Sequence, residues 1–335
     1  MKLGIVGTGM IAHLVGPHLA DWGVSVVAVA GTPTTPDQVN ELADKLGAAG
    51  RYTDYHDLLA DSEVDTVYVA VPNFLHYQVS EDAILAGKDV VCEKPLASNE
   101  REAAKIADIA REHKRFLWEA IVTTRQPNFT LIRDELLPRI GTVKIAVVNY
   151  SQYSSRYDAF RAGEVLPAFD PAKAGGAIMD LGIYTLSFTL GLFGEPVKAN
   201  YVANIERGID TSGVAVLSYD GHVALAICAK DCGSFGHAAG APSGALIEGT
   251  EGYIKMDTPP NVCGAVTLRL NDGTETIYDK ALPVNWQGEF LEFQRQQNAG
   301  DLDECYRQLE ESVLVSRVQN TIRREAGIIF PSDEV

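Results

Sequence analysis

Short, almost continuously apolar runs alternate with longer helix-like segments over roughly the first 120 residues. Such runs are typical of parallel strands that are buried on both faces of a sheet and joined by helical crossovers. The alternation therefore predicts a doubly wound α/β domain. Its predicted strands cover residues 3–6, 24–30, 66–71, 89–92 and 116–121.

The pattern changes at about residue 142, where alternating apolar residues and tight turns replace the βα repeat. Val143, Ile145 and Val147 share one face of a predicted strand. Two hairpin turns are predicted, at Tyr219-Asp220-Gly221-His222 and Asn271-Asp272-Gly273-Thr274. These features indicate an α+β domain built on a large, mostly antiparallel, open sheet.

A domain boundary is predicted near residues 122–126, because the βα repeat stops there and Pro127 prevents regular structure from continuing. The predicted domains are residues 1–123 and 124–335, and the second ends in a helix over residues 304–325. A chain of 335 residues is long enough for two domains that each bury a core.

The charge balance argues against polyanionic partners. Lys and Arg total 28 against 45 Asp and Glu, and the net charge of -17 repels nucleic acid and anionic membranes. The five cysteines are odd in number and lack zinc or redox spacing, which predicts free thiols, a cytoplasmic location and no metal site. No signal segment is expected, nor an apolar run of the roughly 18 residues that cross a bilayer.

The segment Gly7-Thr8-Gly9-Met10-Ile11-Ala12 directly follows the first predicted strand and opens a helical stretch. In this G-x-G-x-x-A pattern the first glycine permits a tight turn and the second lets the backbone approach a pyrophosphate. The alanine keeps the helix close to the strand, and the helix N-terminus offers free N–H donors. The motif predicts a Rossmann domain that holds a nicotinamide dinucleotide, although purely structural glycines would give the same pattern. The candidate contacts are Gly7, Thr8, Gly9, Met10 and Ile11.

The end of the second predicted strand bears on the choice between NAD and NADP. An acidic residue there accepts hydrogen bonds from the 2′-hydroxyl of NAD and repels the 2′-phosphate of NADP. The chain instead reads Ala30-Gly31-Thr32-Pro33-Thr34-Thr35-Pro36, and Asp37 arrives only where helix capping explains it. No arginine is present to hold a phosphate. Both cofactors therefore stay open, with NADP favoured, and Thr32 and Pro33 are candidate contacts.

Two further segments lie at the ends of predicted strands, on the edge where doubly wound sheets bind ligands. Val71-Pro72-Asn73-Phe74-Leu75-His76 follows one strand, although capping by Asn73 would explain part of it. Glu93-Lys94-Pro95 follows the next strand, so Lys94 is expected to project toward the same crevice. The predicted cofactor contacts here are Pro72, Asn73, His76, Glu93 and Lys94.

These segments together resemble the family of glucose-fructose oxidoreductase, inositol dehydrogenase and rhizopine-catabolism proteins, written Gfo/Idh/MocA. The resemblance spans nearly the whole chain. It rests on Gly7-Thr8-Gly9, on Pro72-Asn73 with His76, on Gly87-Lys88-Asp89-Val90-Val91-Cys92-Glu93-Lys94-Pro95-Leu96, and on Gly175-Gly176-Ala177-Ile178-Met179-Asp180-Leu181-Gly182-Ile183-Tyr184.

The resemblance implies that Lys94 and Asp180 line the active site of an oxidoreductase. Tyr184 stands where most members have histidine, as in the subgroup with glucose-fructose oxidoreductase and dimeric dihydrodiol dehydrogenase. The family also implies a cis bond between Lys94 and Pro95. It further implies pairing through the sheet of the second domain, in a homodimer or homotetramer.

Hydride transfer to or from nicotinamide requires matched proton transfer at the substrate oxygen. A free tyrosine is too weakly acidic for this at neutral pH, but a nearby ammonium favours the phenolate, so Lys94 and Tyr184 are expected to work as a pair. Asp180 lies four residues before Tyr184, which on a helix places both on one face, where Asp180 would orient Lys94 or bind a substrate hydroxyl. A packed aromatic at Tyr184 is the alternative.

The stretch before the diglycine carries aromatic and hydrogen-bonding side chains, which suit sugar hydroxyls and equally an ordinary loop. Arg156 and Phe169 are its candidate substrate contacts, together with Asp180. The predicted function is NAD(P)-dependent hydride transfer to or from a sugar, polyol or related cyclic alcohol or carbonyl. Hydrolase chemistry through tightly held NAD and a non-enzymatic dinucleotide sensor remain the alternatives.

Overall fold

The computed structural model describes residues 1–234 and 243–334, and the chain divides into two compact units. The first unit contains Met1–Ala120 and Glu289–Val313, and the second contains Ile121–Gly288 and Leu314–Val335. The predicted boundary at residue 123 is thus close to the observed one. The assignment of everything after it to the second domain is wrong, because Glu289–Val313 belongs to the first unit.

The first unit is built on a parallel sheet. Its described strands are β1 (Lys2–Val6), β2 (Ser25–Ala30), β3 (Gly50–Tyr52), β4 (Thr66–Val69), β5 (Asp89–Glu93) and β6 (Leu117–Ala120). Their order is β3-β2-β1-β4-β5-β6. All the strands are parallel, but successive strands are added on one side of β1 up to β3 and on the other side from β4 onward. The predicted strands are confirmed to within about two residues at each end, whereas the three residues of β3 were not predicted.

Helices connect these strands: α1 (Met10–Leu19), α2 (Pro36–Leu46), α3 (Tyr55–Ala60), α4 (His76–Leu85) and α5 (Glu100–Glu112). The sequence of α5 explains its position. Asn99 accepts a hydrogen bond from the Glu102 N–H at 3.0 Å and so caps the helix. Its buried face repeats at helical spacing, through Ala103, Ile106, Ala107 and Ala110.

The second unit begins with the short helix α6 (Pro127–Leu131), in which Pro127 occupies the first turn. Its sheet contains, in the described residues, β7 (Val143–Gln152), β8 (Lys198–Glu206), β9 (Ile209–Tyr219), β10 (His222–Ser234), β11 (Gly244–Gly249), β12 (Gly252–Met256), β13 (Val266–Leu270) and β14 (Glu275–Tyr278). Their order is β14-β13-β12-β11-β7-β10-β9-β8. The pair β7 and β10 is parallel, and the other neighbouring strands are antiparallel.

Both predicted hairpin turns are confirmed, between β9 and β10 and between β13 and β14. The two faces of the sheet differ in burial. On β7, Ala146 and Val148 are buried against the core, whereas Ile145 is 48% exposed. Ile145 and Val147 therefore lie on the open face, whereas Val143, predicted on the same face, packs against the core where the strand register shifts.

The buried face packs against α8 (Ile183–Phe193), while the short helix α7 (Tyr157–Arg161) precedes it in the chain. Contrary to the sequence expectation, the segment Pro171–Phe193 is long and apolar enough to cross a membrane by composition. Of its most apolar 18 residues, 67% are buried inside the protein. Its C-terminal part, α8, packs into the core of the second unit.

Two helices close the chain, α9 (Gln287–Ala299) and α10 (Leu302–Glu325). Within the first unit, α9 covers large aromatic side chains of the parallel sheet. Phe293 stacks on Trp118 at 5.2 Å between ring centroids, and Phe290 meets Tyr68 edge-on at 5.7 Å. The Trp118 Nε1–H donates to Gln296 Oε1 at 2.6 Å. These contacts are the physical reason why this late segment belongs to the first unit.

Candidate active site

The loop after β1 has the geometry that its glycines predict. Gly7 adopts a φ of +112°, and a Cβ on it would lie 2.2 Å from the Ala70 carbonyl oxygen. No other residue fits there without moving the backbone. Gly9 then caps α1 with an extended backbone, and Ala12 is fully buried. The resulting cradle and the helix N–H groups suit a pyrophosphate. Thr8 and Ile11 are partly exposed beside it, and Met10 is exposed.

Replacing Gly7 with alanine should weaken dinucleotide binding at least about tenfold, because the loop after β1 must shift away from Ala70. Gly47→Ala is the matched control. It also has a positive φ, +68°, but apart from its chain neighbours no atom of the described residues lies within 4 Å of its Cβ position, so only local strain is expected. Fluorescence titration with NADPH measures both affinities. Equal affinities in the two variants would contradict the proposed role of the Gly7 loop.

A cluster of threonine hydroxyls follows β2. The Oγ1 atom of Thr32 lies 2.9 Å from that of Thr34 and 3.0 Å from that of Thr35. Thr35 is the residue that precedes α2, so Asp37 lies in the first turn and is not the N-cap that the sequence suggested. Thr32 and Pro33 are exposed, as a contact with a ribose requires.

His76 lies in a different environment from the one predicted. Its ring is buried, with Nδ1 2.7 Å from the Pro95 carbonyl oxygen and Nε2 2.9 Å from that of Val71. Burial lowers the pKa of His76, and the charge of Lys94 acts in the same direction. A neutral imidazole donates only one hydrogen bond. The His76 ring therefore donates to one of these two carbonyl oxygens and packs between the loop after β4 and the loop after β5. Its burial supports a structural role, and the predicted cofactor contact stays a prediction.

The same is true of Glu93, which is buried and accepts a hydrogen bond from the Tyr68 hydroxyl. Burial raises the pKa of Glu93, while the Tyr68 bond and Lys94 oppose that shift. Lys94 itself is partly exposed between buried neighbours, and its bond to Pro95 is cis, as the resemblance implies. Lys94, Pro72 and Asn73 thus lie at the carboxyl ends of β4 and β5, beside the Gly7 loop. This is the edge at which doubly wound sheets bind ligands.

Asp180 of the second unit lies in a single π-helical turn, Ile178–Gly182, which runs into α8. Such turns are frequent at functional sites. Residues four positions apart also lie on roughly one face of a π turn, so the shared face of Asp180 and Tyr184 stays a prediction. Tyr184 lies in the first turn of α8, partly exposed, with its ring 5.6 Å from that of Tyr150.

The sequence reasoning missed Lys230, which pairs with Asp180. The Lys230 Nζ lies 2.8 Å from Asp180 Oδ2, and only 2% of the lysine side chain is exposed. The signal was present in the strand pattern. Ala224, Ala226 and Cys228 are buried at alternate positions of β10, so the same period places Lys230 on the core face, where a charge needs a partner.

The sequence reasoning also missed Asp210, which is fully buried on β9. Its Oδ2 accepts hydrogen bonds from the Ile178 N–H at 2.7 Å and the Tyr201 hydroxyl at 2.8 Å. A Cβ on Gly176 would lie 2.2 Å from Asp210 Oδ1, which explains that glycine. Burial raises the pKa of Asp210, whereas the bonds it accepts lower it. Asp210 therefore anchors the start of the turn that carries Asp180.

The two remaining substrate candidates differ in outcome. Phe169 is fully buried and stacks on Phe160 at 4.9 Å, so its predicted contact with substrate is wrong. Its ring instead faces the Lys230 ammonium, at 4.3 Å from the centroid. Arg156 is partly exposed just before α7 and stays a prediction.

Comparison with known proteins identifies the family. Residues 1–121 match the model of the "oxidoreductase family, NAD-binding Rossmann fold", and residues 138–255 match the GFO/IDH/MocA C-terminal domain. The chain is 35% identical to scyllo-inositol 2-dehydrogenase (NADP(+)) IolU of Bacillus subtilis (strain 168), over 100% of this chain and 99% of the relative. It is 31% identical to trans-1,2-dihydrobenzene-1,2-diol dehydrogenase of Danio rerio, over 99% of both chains.

Solved structures share the fold at lower identity. A levoglucosan dehydrogenase in complex with NADH and levoglucosan gives a TM-score of 0.83 at 17% identity, over 98% of this chain and 97% of that one. KijD10, a 3-ketoreductase from Actinomadura kijaniata in complex with TDP-benzene and NADP, gives 0.80 at 21% identity, over 96% of both chains. The chain belongs to the GFO/IDH/MocA family and is an NAD(P)-dependent oxidoreductase that acts on CH–OH groups.

Proposed function

We propose that this enzyme transfers a hydride between NADP(H) and a ring carbon that carries a hydroxyl or ketone group in a cyclic polyol. The observation that carries the proposal is the ion pair between Asp180 and Lys230. Asp180 lies four residues before Tyr184, which is partly exposed. A carboxylate held in place accepts hydrogen bonds from adjacent substrate hydroxyls. Two full-length relatives are named for cyclic substrates that carry hydroxyl groups.

The chemistry divides between the cofactor and the protein. Bound nicotinamide supplies the hydride acceptor in oxidation and the hydride donor in reduction. In oxidation, a Tyr184 phenolate, favoured by the charge of the Lys94 ammonium, takes the proton that leaves the substrate oxygen and becomes a neutral tyrosine. Asp180 accepts a hydrogen bond from a neighbouring hydroxyl and fixes which carbon reacts. Arg156 is the proposed further substrate contact.

The test is a screen of cyclic polyols and cyclic ketones with NADP and NAD, followed through nicotinamide absorbance. Scyllo-inositol and a trans-dihydrodiol are the first cyclic substrates, and a linear sugar alcohol is the control. We expect reduced cofactor to form in proportion to product with at least one cyclic polyol. Product formed without net change in the cofactor would favour hydrolase chemistry, and cofactor binding without any turnover would favour a sensor.

The threonine cluster after β2 supports NADP as the preferred cofactor, since no acidic residue repels a 2′-phosphate there. Thr32→Asp should reverse the preference toward NAD by about tenfold or more, because like charges would then face each other. Thr32→Asn, which has the same shape without the charge, should keep it. Dissociation constants for NADP and NAD measure the change. If Thr32→Asp still prefers NADP to NAD, the 2′-phosphate does not bind near Thr32.

We propose that two copies pair through the open face of the second sheet. Neighbouring strands present branched apolar side chains there in register, since Leu225 lies beside Val147 on β7 and Val216 on β9. An exposed apolar face of this kind is typical of a surface that another protein chain covers. Its members are Ile145, Val147, Val202, Val214, Val216, Val223, Leu225, Ile227 and Leu246.

Light scattering should therefore give the mass of a dimer or tetramer at micromolar concentration. Leu225→Glu should shift that mass to the monomer, because it buries a charge in the interface. Asp220→Lys, at the exposed turn between β9 and β10, should leave the mass unchanged. A monomeric wild-type chain would reject the proposal.

We propose a cytoplasmic location for the enzyme. The five cysteines are free thiols, and Cys232 is exposed. An exposed thiol persists in a reducing compartment. Recovery of the native protein in a secreted or periplasmic fraction would contradict this location.

A further inference from the structure

Lys230 is held from three sides within the second unit. Its ammonium lies 2.8 Å from Asp180 Oδ2, donates to the Ala168 carbonyl oxygen at 2.6 Å, and faces the ring of Phe169. Ala168 and Phe169 belong to the short helical turn Pro167–Phe169, whereas Asp180 belongs to the π-helical turn. One ammonium therefore connects the strand β10 with two separate turns.

The two members of the pair differ in burial. The lysine side chain is 2% exposed, but the Asp180 side chain is 33% exposed. A buried ammonium without a counter-charge is strongly unfavourable, so Lys230 needs the Asp180 carboxylate as its partner. The cation thus lies on the protein side of the carboxylate. The Asp180 side chain therefore stays accessible to a ligand while its Oδ2 is held by the lysine.

We infer that Lys230 is a positioning residue for the reaction, an inference that rests on the proposed function. Lys230 turns the Asp180 carboxylate toward the substrate hydroxyl, but does not itself touch substrate or cofactor. Its effect on turnover therefore passes through Asp180. A lysine that only tied two turns together would stabilise the fold whether or not residue 180 carried a charge.

The test is a double-mutant cycle with Lys230→Met and Asp180→Asn. Lys230→Met should lower kcat on the order of tenfold or more, less than the about 10²- to 10⁴-fold expected for an acid or base itself. The KM for NADP should stay within about threefold, because the pyrophosphate is held by the Gly7 loop. In the Asp180→Asn background, removal of the Lys230 charge should change kcat by less than about threefold.

The matched control is Lys255→Met. Lys255 also lies 2.8 Å from a carboxylate, that of Asp257, but its side chain is 50% exposed. Neither kcat nor the melting temperature should change in this variant, since exposed pairs contribute little. If Lys230→Met does not fold, Lys230→Gln serves, because an amide still donates to Ala168 while carrying no charge.

Three results would overturn the inference. The first is wild-type kcat in Lys230→Met, and the second is an equal loss of kcat in both backgrounds, which indicates a structural tie alone. Both leave the proposed function standing, because the wild-type enzyme turns over in either case. The third is a wild-type enzyme without turnover on any cyclic alcohol or ketone. That result overturns the proposed function and this inference together.

Discussion

Replacing Lys94 with methionine should lower turnover by about 10² to 10⁴, the usual contribution of a positioned acid or base. The affinity for NADP should change much less. Lys94 supplies a charge whose benefit grows as the substrate oxygen loses or gains its proton, whereas the Gly7 loop holds the pyrophosphate in every state. Steady-state kinetics and a binding titration on the same variant separate the two effects. Lys105→Met, at an exposed lysine of α5, is the control and should behave as the wild type.

Tyr184→Phe should show a loss of similar size, and the double replacement should cost little more than the worse single one. Two groups that act as one proton-transfer unit are not additive in free energy. Additive losses would mean independent roles. Full turnover by Tyr184→Phe would make Tyr184 a packed aromatic against Tyr150, and the proton would then pass through Lys94 or water.

Arg323→Met should lower the free energy of unfolding by about 3 to 5 kcal/mol, the cost of breaking a buried ion pair. Arg323 is fully buried in α10 and donates to both carboxylate oxygens of Asp333 at 2.8 Å. It also donates to the Ile328 carbonyl oxygen and lies over the ring of Phe330. Removal of the cation leaves Asp333 buried without its counter-charge. Urea unfolding measures the change, and Arg324→Met, at the exposed neighbour, should have little effect.

The same pair predicts a dependence of stability on pH. Burial alone would raise the pKa of Asp333, but Arg323 and the Phe330 N–H outweigh it and hold the pKa below its ordinary value. The stabilisation is therefore complete above the unfolded-state pKa of about 3.9 and is lost as the pH falls through the lower pKa of the folded state. Asp333→Asn should lack this acid-side loss. An identical acid dependence in wild type and variant would contradict the assignment.

The sequence predicts the parallel sheet and its ligand-binding edge well, because those features depend on local patterns. Each apolar run forms one strand, and the positive φ of the turn after β1 requires glycine at position 7. The antiparallel sheet could be predicted equally well, from its Asp-Gly turns. The sequence does not tell which face of β7 is buried, since both faces of that strand carry apolar residues. That choice is made by α8, which packs on one face only.

Residues whose roles depend on contacts distant in the chain were beyond the sequence pattern. His76 and Phe169 look like ligand contacts by residue type, yet each is buried against a partner from another segment. Lys230 is fifty residues from Asp180, and Asp210 is thirty. Such pairs form only when strands β9 and β10 bring them beneath the turn at Ile178–Gly182. The buried residues at every second position of β10 are a local pattern that places Lys230 on the core face.

The late position of Glu289–Val313 in the chain has a consequence for biosynthesis. During translation, residues 1–120 leave the ribosome while the helix that covers Trp118 and Tyr68 has yet to be made. At roughly 5 to 20 residues per second, about 10 to 30 s pass before that helix follows. Aromatic surface stays open for that time, and we expect chaperones that bind apolar segments to protect it. A fragment that ends at residue 120 keeps this surface open permanently and should aggregate when expressed alone.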